Sequence, residues 1–376
     1  TRALPMRVYE VINVRWFNAT AWYAITQARL LHERGHQVMV VCLPDSPAHV
    51  KALEYDLPVS TLELNTTAPL GLIRLYAQMR QLVREFPPQI VNCHRGEAFI
   101  LWGLLKLHTR GLFRLVRTRG DQRPPKNTRI NRWLHRELAD AVVCTNTAMS
   151  KYFRDELGLP TSQLWLIFGG VDRNRFRFDP TSRQRIREHY GFTSRHKVIG
   201  LLGRFDRVKG QHELLQAAAN LYHNGMTDIR ILLIGFSTAT SQAEVQGWIQ
   251  EFGLDGMVHI TGLTENVPAY LSALDLGVVN SLWSETIARA ALEIMSCSVP
   301  LVGTRVGVLP DLLGHEALVP PGDATALAER IQCVLHDTNL YQHLQRQQED
   351  IIRDLSTDNF FQHTQSLYTR LLSSSQ

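Results

Sequence analysis

Two α/β domains, each built on a parallel sheet, are what this chain predicts, and three observations carry the prediction. Short apolar, β-branched runs alternate with helix-period segments from end to end, the pattern of repeated βαβ units. The pattern restarts at Lys197 with a fresh strand–loop–helix unit, "KVIGLLGRFDRVKGQHELLQAAANLYHNG". A length of 376 residues is enough for two cores. The expected division is residues 1–175, residues 176–355 and a terminal helix over 356–376, with a linker at about 172–190.

The first half opens on "MRVYEVINV", a strand, then "ATAWYAITQARLLHERG", an amphipathic helix closed by Gly35, then "HQVMVVCL", a second strand. The "TRALP" ahead of it reads as an extension before a natural start at Met6. The loop "RWFNAT" follows the first strand, where α/β proteins place their ligand crevice, but it holds no GxGxxG and so no dinucleotide fingerprint. A helix is expected over residues 70–85. "PPQIVNCHRGEAFILWGLL" then reads as turn, strand, His94 and helix. A lone histidine at a strand end is more often structural than catalytic, so these residues by themselves leave His94 open. "RLVRTRGD", "ADAVVCTNTAMSKYF" and "SQLWLIFGGVDRNRFRF" complete the half.

An apolar fraction of 44% and a charged fraction of 20% are those of an ordinary globular protein. The longest apolar run, "AFILWGLL", has eight residues, against the ~20 that cross a bilayer. Neither a signal peptide nor a spanning helix is expected. The five cysteines are scattered, odd in number and without a CxxC; three lie in strand-like runs, so they read as reduced core residues of a cytoplasmic protein. Net charge is +5 but uneven: from Lys106 to Arg136 ten lysines and arginines face one acid, Asp121. A solvated basic face or balance against acids elsewhere accounts for that stretch. Its functional reading is docking on anionic lipid headgroups or a phosphorylated glycolipid, which adds peripheral attachment at the inner face of the cytoplasmic membrane. It lacks the interleaved aromatics of a nucleic-acid platform, and no nucleic-acid partner is expected.

In the second half a buried strand ends at Gly203 and a helix runs from near Gly210 to Gly225. Arg204 and Lys209 lie in the loop between them. A forked guanidinium and a point-charge ammonium beside a helix N-terminus can neutralise a pyrophosphate, although loop cations alone are usually solvated. "DIRILLIGF", "GMVHITGL", "LDLGVVNSL" and "SVPLVGTR" are four further strands. Between the last two, "SETIARAALEIMSCSVP" has apolar residues at helical spacing, with Ser284 or Thr286 as cap. That reading puts Glu285 at the helix mouth and Glu293 two turns in, about 12 Å along the axis. The span suits an elongated ligand with hydroxyls at both ends and an anion between them, the shape of a nucleotide sugar. On spacing alone, a first-turn charge and a solvated glutamate explain the pair as well.

The neighbouring residues add to this. "SETIARAALEIMSCSVPLVGTRVGVLPDLL" resembles the Glu-x7-Glu signature of the retaining group 1 (GT4-like) glycosyltransferases of GT-B fold. "GRFDRVKG" is similar to that family's "GR…KG" loop and "FGGVDRNRF" to its "NGVD…F" junction. The likeness runs over nearly the whole chain, is strongest from Lys197 to Arg330, and includes enzymes of bacterial lipopolysaccharide and polysaccharide synthesis. It implies two Rossmann-like domains with an interdomain cleft, an acceptor-binding first domain, a nucleotide-sugar-binding second, and last helices returning across the first. It implies that Glu285 holds donor-sugar hydroxyls and Glu293 the ribose diol. Gly203, Arg204 and Lys209 would meet the diphosphate, and Leu263 the base through its backbone. Thr286, Ile287 and Ala288 would line the donor through amides, with Arg289 reaching the donor or pairing with a carboxylate. His94 would line the reacting sugar. Asn18 and Ala19 stand near the family's Gly-Gly pair, and with Arg119 form the expected acceptor or phosphate loop. The chain departs at Gly169, where Asn is usual, at Glu285-Thr286-Ile287-Ala288 for Glu-Gly-Phe-Gly, and at Ser298 for a later glycine, which predicts a narrower pocket.

There is no Asp-x-Asp to hold a divalent ion. Neither metal nor cofactor is expected, and Arg204, Lys209 and the helix dipole would stabilise the leaving diphosphate. The expected reaction moves a hexose-type sugar, with retention, to a cell-envelope glycan or glycolipid. No side chain stands out as the nucleophile of a double displacement. A sugar-nucleotide epimerase on the same fold and a non-catalytic nucleotide-sugar-binding scaffold are the alternatives.

Overall fold

The computed structural model describes residues 5–374, so residues 1–4 of the expected extension lie outside the described part. The chain forms two compact units, Thr1–Gly169 with Thr357–Gln376, and Gly170–Ser356.

The first unit is built on seven parallel strands: β1 (Arg7–Ile12), β2 (Gln37–Cys42), β3 (Val59–Thr61), β4 (Ile90–Cys93), β5 (Arg114–Arg119), β6 (Ala141–Cys144) and β7 (Leu164–Leu166), in the order β3-β2-β1-β4-β5-β6-β7. Between them run α1 (Ala19–Glu33), α2 (Pro47–Glu54), α3 (Pro69–Glu85), α4 (Gly96–His108), α5 (Arg129–Trp133) and α6 (Thr147–Asp155). The central strands are buried on both faces, which is why they read as continuous apolar runs. The core gathers Val11, Val91, Phe99, Trp102, Leu115 and Phe153.

The second unit holds α7 (Pro180–His189), β8 (Lys197–Leu202), α8 (Gln211–His223), β9 (Ile229–Ile234), α9 (Gln242–Glu251), β10 (Val258–Ile260), α10 (Val267–Ser272), β11 (Leu276–Val279), α11 (Arg289–Ser296), β12 (Leu301–Thr304), α12 (Leu309–Leu312), β13 (Leu318–Val319), α13 (Ala324–His336) and α14 (Thr338–Arg353). Its six strands are parallel, in the order β10-β9-β8-β11-β12-β13. The last helix, α15 (Thr357–Ser373), belongs to the first unit and packs on α1, where Gln27 donates to Thr364 at 3.2 Å. Both sheets reverse strand order once, between β1 and β4 and between β8 and β11. Such a reversal opens a crevice at the strands' carboxyl ends.

Four expectations change. The segment 172–190 is not a linker: the units divide after Gly169, and Pro180–His189 is helical. Asp179 caps that helix with Pro180 at its first position, a start signal hidden in a charge-rich run. Arg183 and Arg187 from α7 pair with Asp275 at 2.7 and 3.2 Å, fixing it to the second unit. The basic stretch is partly balanced internally, Lys106 and Arg114 against Asp140 and Arg117 and Arg119 against Asp121. Strand β3 and helix α2 carry too few periodic residues to announce themselves. Of the cysteines, Cys42, Cys93, Cys144 and Cys297 are buried but Cys333 is exposed.

Candidate functional site

In the second unit the loops after β8 and β11 meet at the strand-order reversal. Gly210 permits the approach: it sits at φ +74, and a Cβ there would come within 2.4 Å of the Asn280 carbonyl oxygen. Asn280 Nδ2 in turn donates to Gly210 O at 2.9 Å. This docking carries Lys209, the last residue of a short 3₁₀ turn, to Glu285. Lys209 Nζ lies 2.6 Å from Glu285 Oε1, and Ser281 Oγ donates to the same oxygen at 2.6 Å. The carboxylate is nearly closed to solvent while the ammonium keeps 23% of its side-chain surface exposed. A half-open cation on a buried acid can exchange solvent for a ligand's oxygens. Arg204, also partly exposed, pairs with Asp206 at 2.9 Å, and its carbonyl accepts from Gln211 Nε2. Gly203 closes β8, its N–H donating to Ile234 O at 3.0 Å.

The segment after Glu285 is not the helix that its periodicity predicts. Helix α11 starts only at Arg289, so Glu285, Thr286, Ile287 and Ala288 form a loop, and neither Ser284 nor Thr286 is the cap. The helical 12 Å rise between the glutamates therefore does not apply. Ala288 stops the helix by adopting φ 57, ψ 51, a left-handed conformation. Glu285 is held from outside as well, its carbonyl accepting from Val308 N–H at 2.8 Å. Gly307 makes this possible, since a Cβ there would fall 1.9 Å from Glu285 O. Ser298, the other non-glycine at an expected glycine, also has positive φ, at 59. Ile287 and Ala288 turn their side chains into the core.

Glu293 is the fifth residue of α11, almost wholly buried, with Arg289 Nε donating to it at 2.7 Å. Burial pushes its carboxyl above the usual range, and the arginine offsets only part of that. Leu263 follows β10 at the far edge of the sheet, its side chain 77% exposed. The structure thus joins Lys209 to Glu285 and Arg289 to Glu293, whereas Arg204 and Leu263 keep to their own loops. Among the described residues no three His, Cys, Asp or Glu side chains gather into a metal-binding group.

In the first unit, His94 follows β4 and is fully buried, its Nε2 2.7 Å from Glu10 Oε2 in β1. Tyr368 from α15 donates to the other Glu10 oxygen at 2.9 Å, and Asn92 donates to the tyrosine hydroxyl at 2.9 Å. Burial raises the Glu10 carboxyl despite these partners. No atom of the His94 ring is open to a ligand in this arrangement. Asn18 caps α1 by accepting from Ala21 N–H at 3.0 Å, and Ala19 is the helix's first residue. Arg119 turns inward, 3.1 Å from Asp121, and burial lowers its pKa to about 10. It is therefore not the loop phosphate ligand expected. A cavity of about 510 Å³ opens beside β1 and β4, lined by Asn13, Trp16, Asn18, Asn65, Arg95 and Glu97. Asn13 Nδ2 donates to Asn65 Oδ1 at 2.8 Å.

Sequence reasoning passed over Glu10, Ser281, Gly307, Tyr368 and this cavity. A signal for Glu10 was available: a lone acid within an otherwise apolar strand must find a buried partner.

Residues 182–350 match the family model described as glycosyl transferases group 1, and residues 20–175 that of glycosyltransferase family 4. N-acetyl-alpha-D-glucosaminyl L-malate synthase of Bacillus anthracis is 25% identical over 222 residues, 58% of this chain and 56% of that protein. The lipopolysaccharide core biosynthesis mannosyltransferase LpsB of Rhizobium meliloti is 27% identical over 225 residues, 59% of each chain. The chain thus spans under two thirds of either relative. The crystal structure of Anabaena HepE in complex with UDP and glucose superimposes with a TM-score of 0.82 at 21% identity, covering 97% of this chain and 100% of that one, a likeness of fold.

Proposed function

The chain belongs to the group 1 glycosyltransferases, and from that premise we propose that it transfers a hexose-type sugar from a nucleoside-diphosphate donor to a cell-envelope glycan or glycolipid, as in lipopolysaccharide or polysaccharide synthesis. The observation that carries this is the Lys209–Glu285–Ser281 cluster at the strand-order reversal of the second unit, with Arg204 on the same loop. In this reading Lys209 and Arg204 take the diphosphate, which frees Glu285 to accept hydroxyls of the donor sugar and to balance oxocarbenium-like charge. Glu293, held by Arg289, accepts from the ribose diol. The leaving group becomes more anionic as its bond breaks, so fixed cations stabilise the transition state more than the ground state. That supports a reaction needing no metal, while retention of the anomeric configuration is proposed from the resemblance to the retaining family alone. His94, its ring sealed against Glu10, is given no direct contact with the sugar in this reading, and its role is to hold the end of β4. HepE, crystallised with UDP and glucose, and LpsB, a mannosyltransferase, make a hexose donor the natural first choice. Peripheral contact with an anionic membrane belongs to the same proposal.

Calorimetric titration with UDP, GDP, ADP and CMP in the presence of chelator tests it. One diphosphate should bind selectively, and Glu293→Ala and Arg204→Ala should each weaken it by about tenfold or more. No binding to any of the four, or binding only with added divalent ion, sinks the donor site as described. Release of an altered sugar without an acceptor would point instead to an epimerase.

A further inference from the structure

We propose that the cavity of the first unit takes the sugar that accepts transfer, and that this sugar is a neutral glycosyl unit, not a phosphorylated or carboxylated one. This rests on the proposed function and narrows its acceptor. The cavity belongs to the first unit alone.

The cavity lies where the loops after three parallel strands come together. Asn13 and Trp16 follow β1, Asn65 follows β3, and Arg95 and Glu97 follow β4. The carboxyl ends of strands beside a reversal of strand order are where open α/β sheets take ligands. A volume of about 510 Å³ is that of a small-ligand site.

One buried amide states what the ligand must offer. Asn13 is 1% exposed. Asn65 Nδ2 donates to the Asn13 carbonyl at 3.2 Å, and Asn65 Oδ1 accepts from Asn13 Nδ2 at 2.8 Å. Reversing the Asn13 amide would set oxygen against oxygen, so its orientation is fixed by this exchange. Asn13 Oδ1 is then a buried acceptor to which no described protein group donates. Such an atom calls for a donor. A sugar hydroxyl supplies one, whereas a phosphate dianion, a carboxylate or an acyl chain supplies none.

Charge decides between neutral and anionic sugars, since both carry hydroxyls. Glu97 lines the cavity, 3.5 Å from Asn13 Nδ2. Burial raises its carboxyl, but hydrogen bonds from Arg95 at 3.1 and 3.4 Å outweigh that and hold it below the ordinary range. Glu97 is therefore an ionised acceptor that welcomes a hydroxyl and repels an anion. The same two bonds engage the Arg95 guanidinium. Arg15 also lines the cavity, but it is exposed, and a cation in open water is screened. Trp16, 76% exposed, stands in the wall. An exposed indole beside convergent amides suits a pyranose, whose C–H face lies on an aromatic ring while its hydroxyls meet polar groups at the edge.

Saturation-transfer NMR and calorimetry on the full chain test this, with methyl glucoside, galactoside, mannoside and N-acetylglucosaminide against the matching hexose phosphates and hexuronates. At least one neutral glycoside should bind at millimolar concentration, and its anionic counterparts should bind at least about tenfold more weakly. Trp16→Ala should weaken the neutral glycoside by about tenfold, and Asn13→Leu by about as much. Trp16 is on the surface, so its replacement probes the cavity even where Asn13→Leu fails to fold. Glu97→Gln removes the repelling charge and releases Arg95, so the gap between neutral and phosphorylated sugar should close. The proposal is overturned if an anionic sugar binds as tightly as its neutral counterpart, if Trp16→Ala binds the glycoside as the wild type does, or if Glu97→Gln leaves the gap unchanged. UDP, GDP, ADP and CMP are titrated into the same samples. Nucleotide binding without binding of any neutral glycoside sinks the acceptor assignment alone, whereas binding of neither sinks the transferase reading with it.

Discussion

In the second unit, Lys209 and Glu285 meet with the ammonium still partly in solvent, while in the first unit Glu10 and His94 meet with no exposure at all. Both pairs lie where a parallel sheet reverses its strand order. What separates them is a few residues of chain. Lys209 and Glu285 stand beyond the ends of β8 and β11, on loops that reach the crevice. Glu10 lies within β1 and His94 directly follows β4, in a sheet covered on both faces, with α15 supplying Tyr368 as a third partner. A charge past the strand end stays available to a ligand, whereas one inside the strand is committed to the interior and must be satisfied there.

The largest expected effect breaks the exposed pair. Lys209→Ala removes a cation that the proposed chemistry needs as charge develops, and should lower kcat by about 100- to 1000-fold. Its effect on thermal stability should be small, because Ser281 still donates to Glu285. Steady-state kinetics beside a melting curve would show the split, and an equal loss of both would erase the contrast.

The sealed pair should behave in the opposite way. Glu10→Ala leaves His94 and Tyr368 without their carboxylate and should cost about 3 kcal/mol of stability, measured by urea denaturation, with nucleotide binding unchanged. Glu10→Gln sharpens the test through pH. Because burial raises the folded pKa of Glu10, its contribution to stability is full below the ordinary carboxylate pKa and is lost as pH rises through the folded value. The glutamine variant should remove that decline, so its disadvantage should shrink from acid to neutral pH. A pH-independent difference would mean that the carboxylate does not titrate as described.

The smallest effect concerns the two left-handed residues. Ala288→Gly and Ser298→Gly each relieve a conformation that L side chains disfavour, and should stabilise the chain by about 1 kcal/mol apiece. If Ala288→Gly also leaves donor affinity unchanged, the loop's shape is already that of a glycine-bearing pocket, and the narrower pocket expected from the sequence is set aside.

Much of the second unit was legible in its residues. The order of Gly203, Arg204, Lys209, Glu285 and Glu293 along the chain marked the candidate site, and all but Glu293, which lies inside α11, belong to segments between a strand and a helix with a recognisable local pattern. The helix over Glu285 was misread because apolar periodicity continues through Ile287, while the stop depends on the φ of Ala288 and on a hydrogen bond from Val308. Neither is visible in a local window. The first unit was less legible at its site, since Glu10, Asn92, His94 and Tyr368 span most of the chain and only folding brings them together.

By itself the sequence determined the strand and helix alternation, two parallel-sheet units and the residue types able to meet a diphosphate, because periodicity, loop chemistry and charge are local properties. Tertiary structure decided which charges remain open and which are sealed, and that four cations of the basic stretch are already paired. Those outcomes depend on what packs against each face, and the packing partners come from distant parts of the chain.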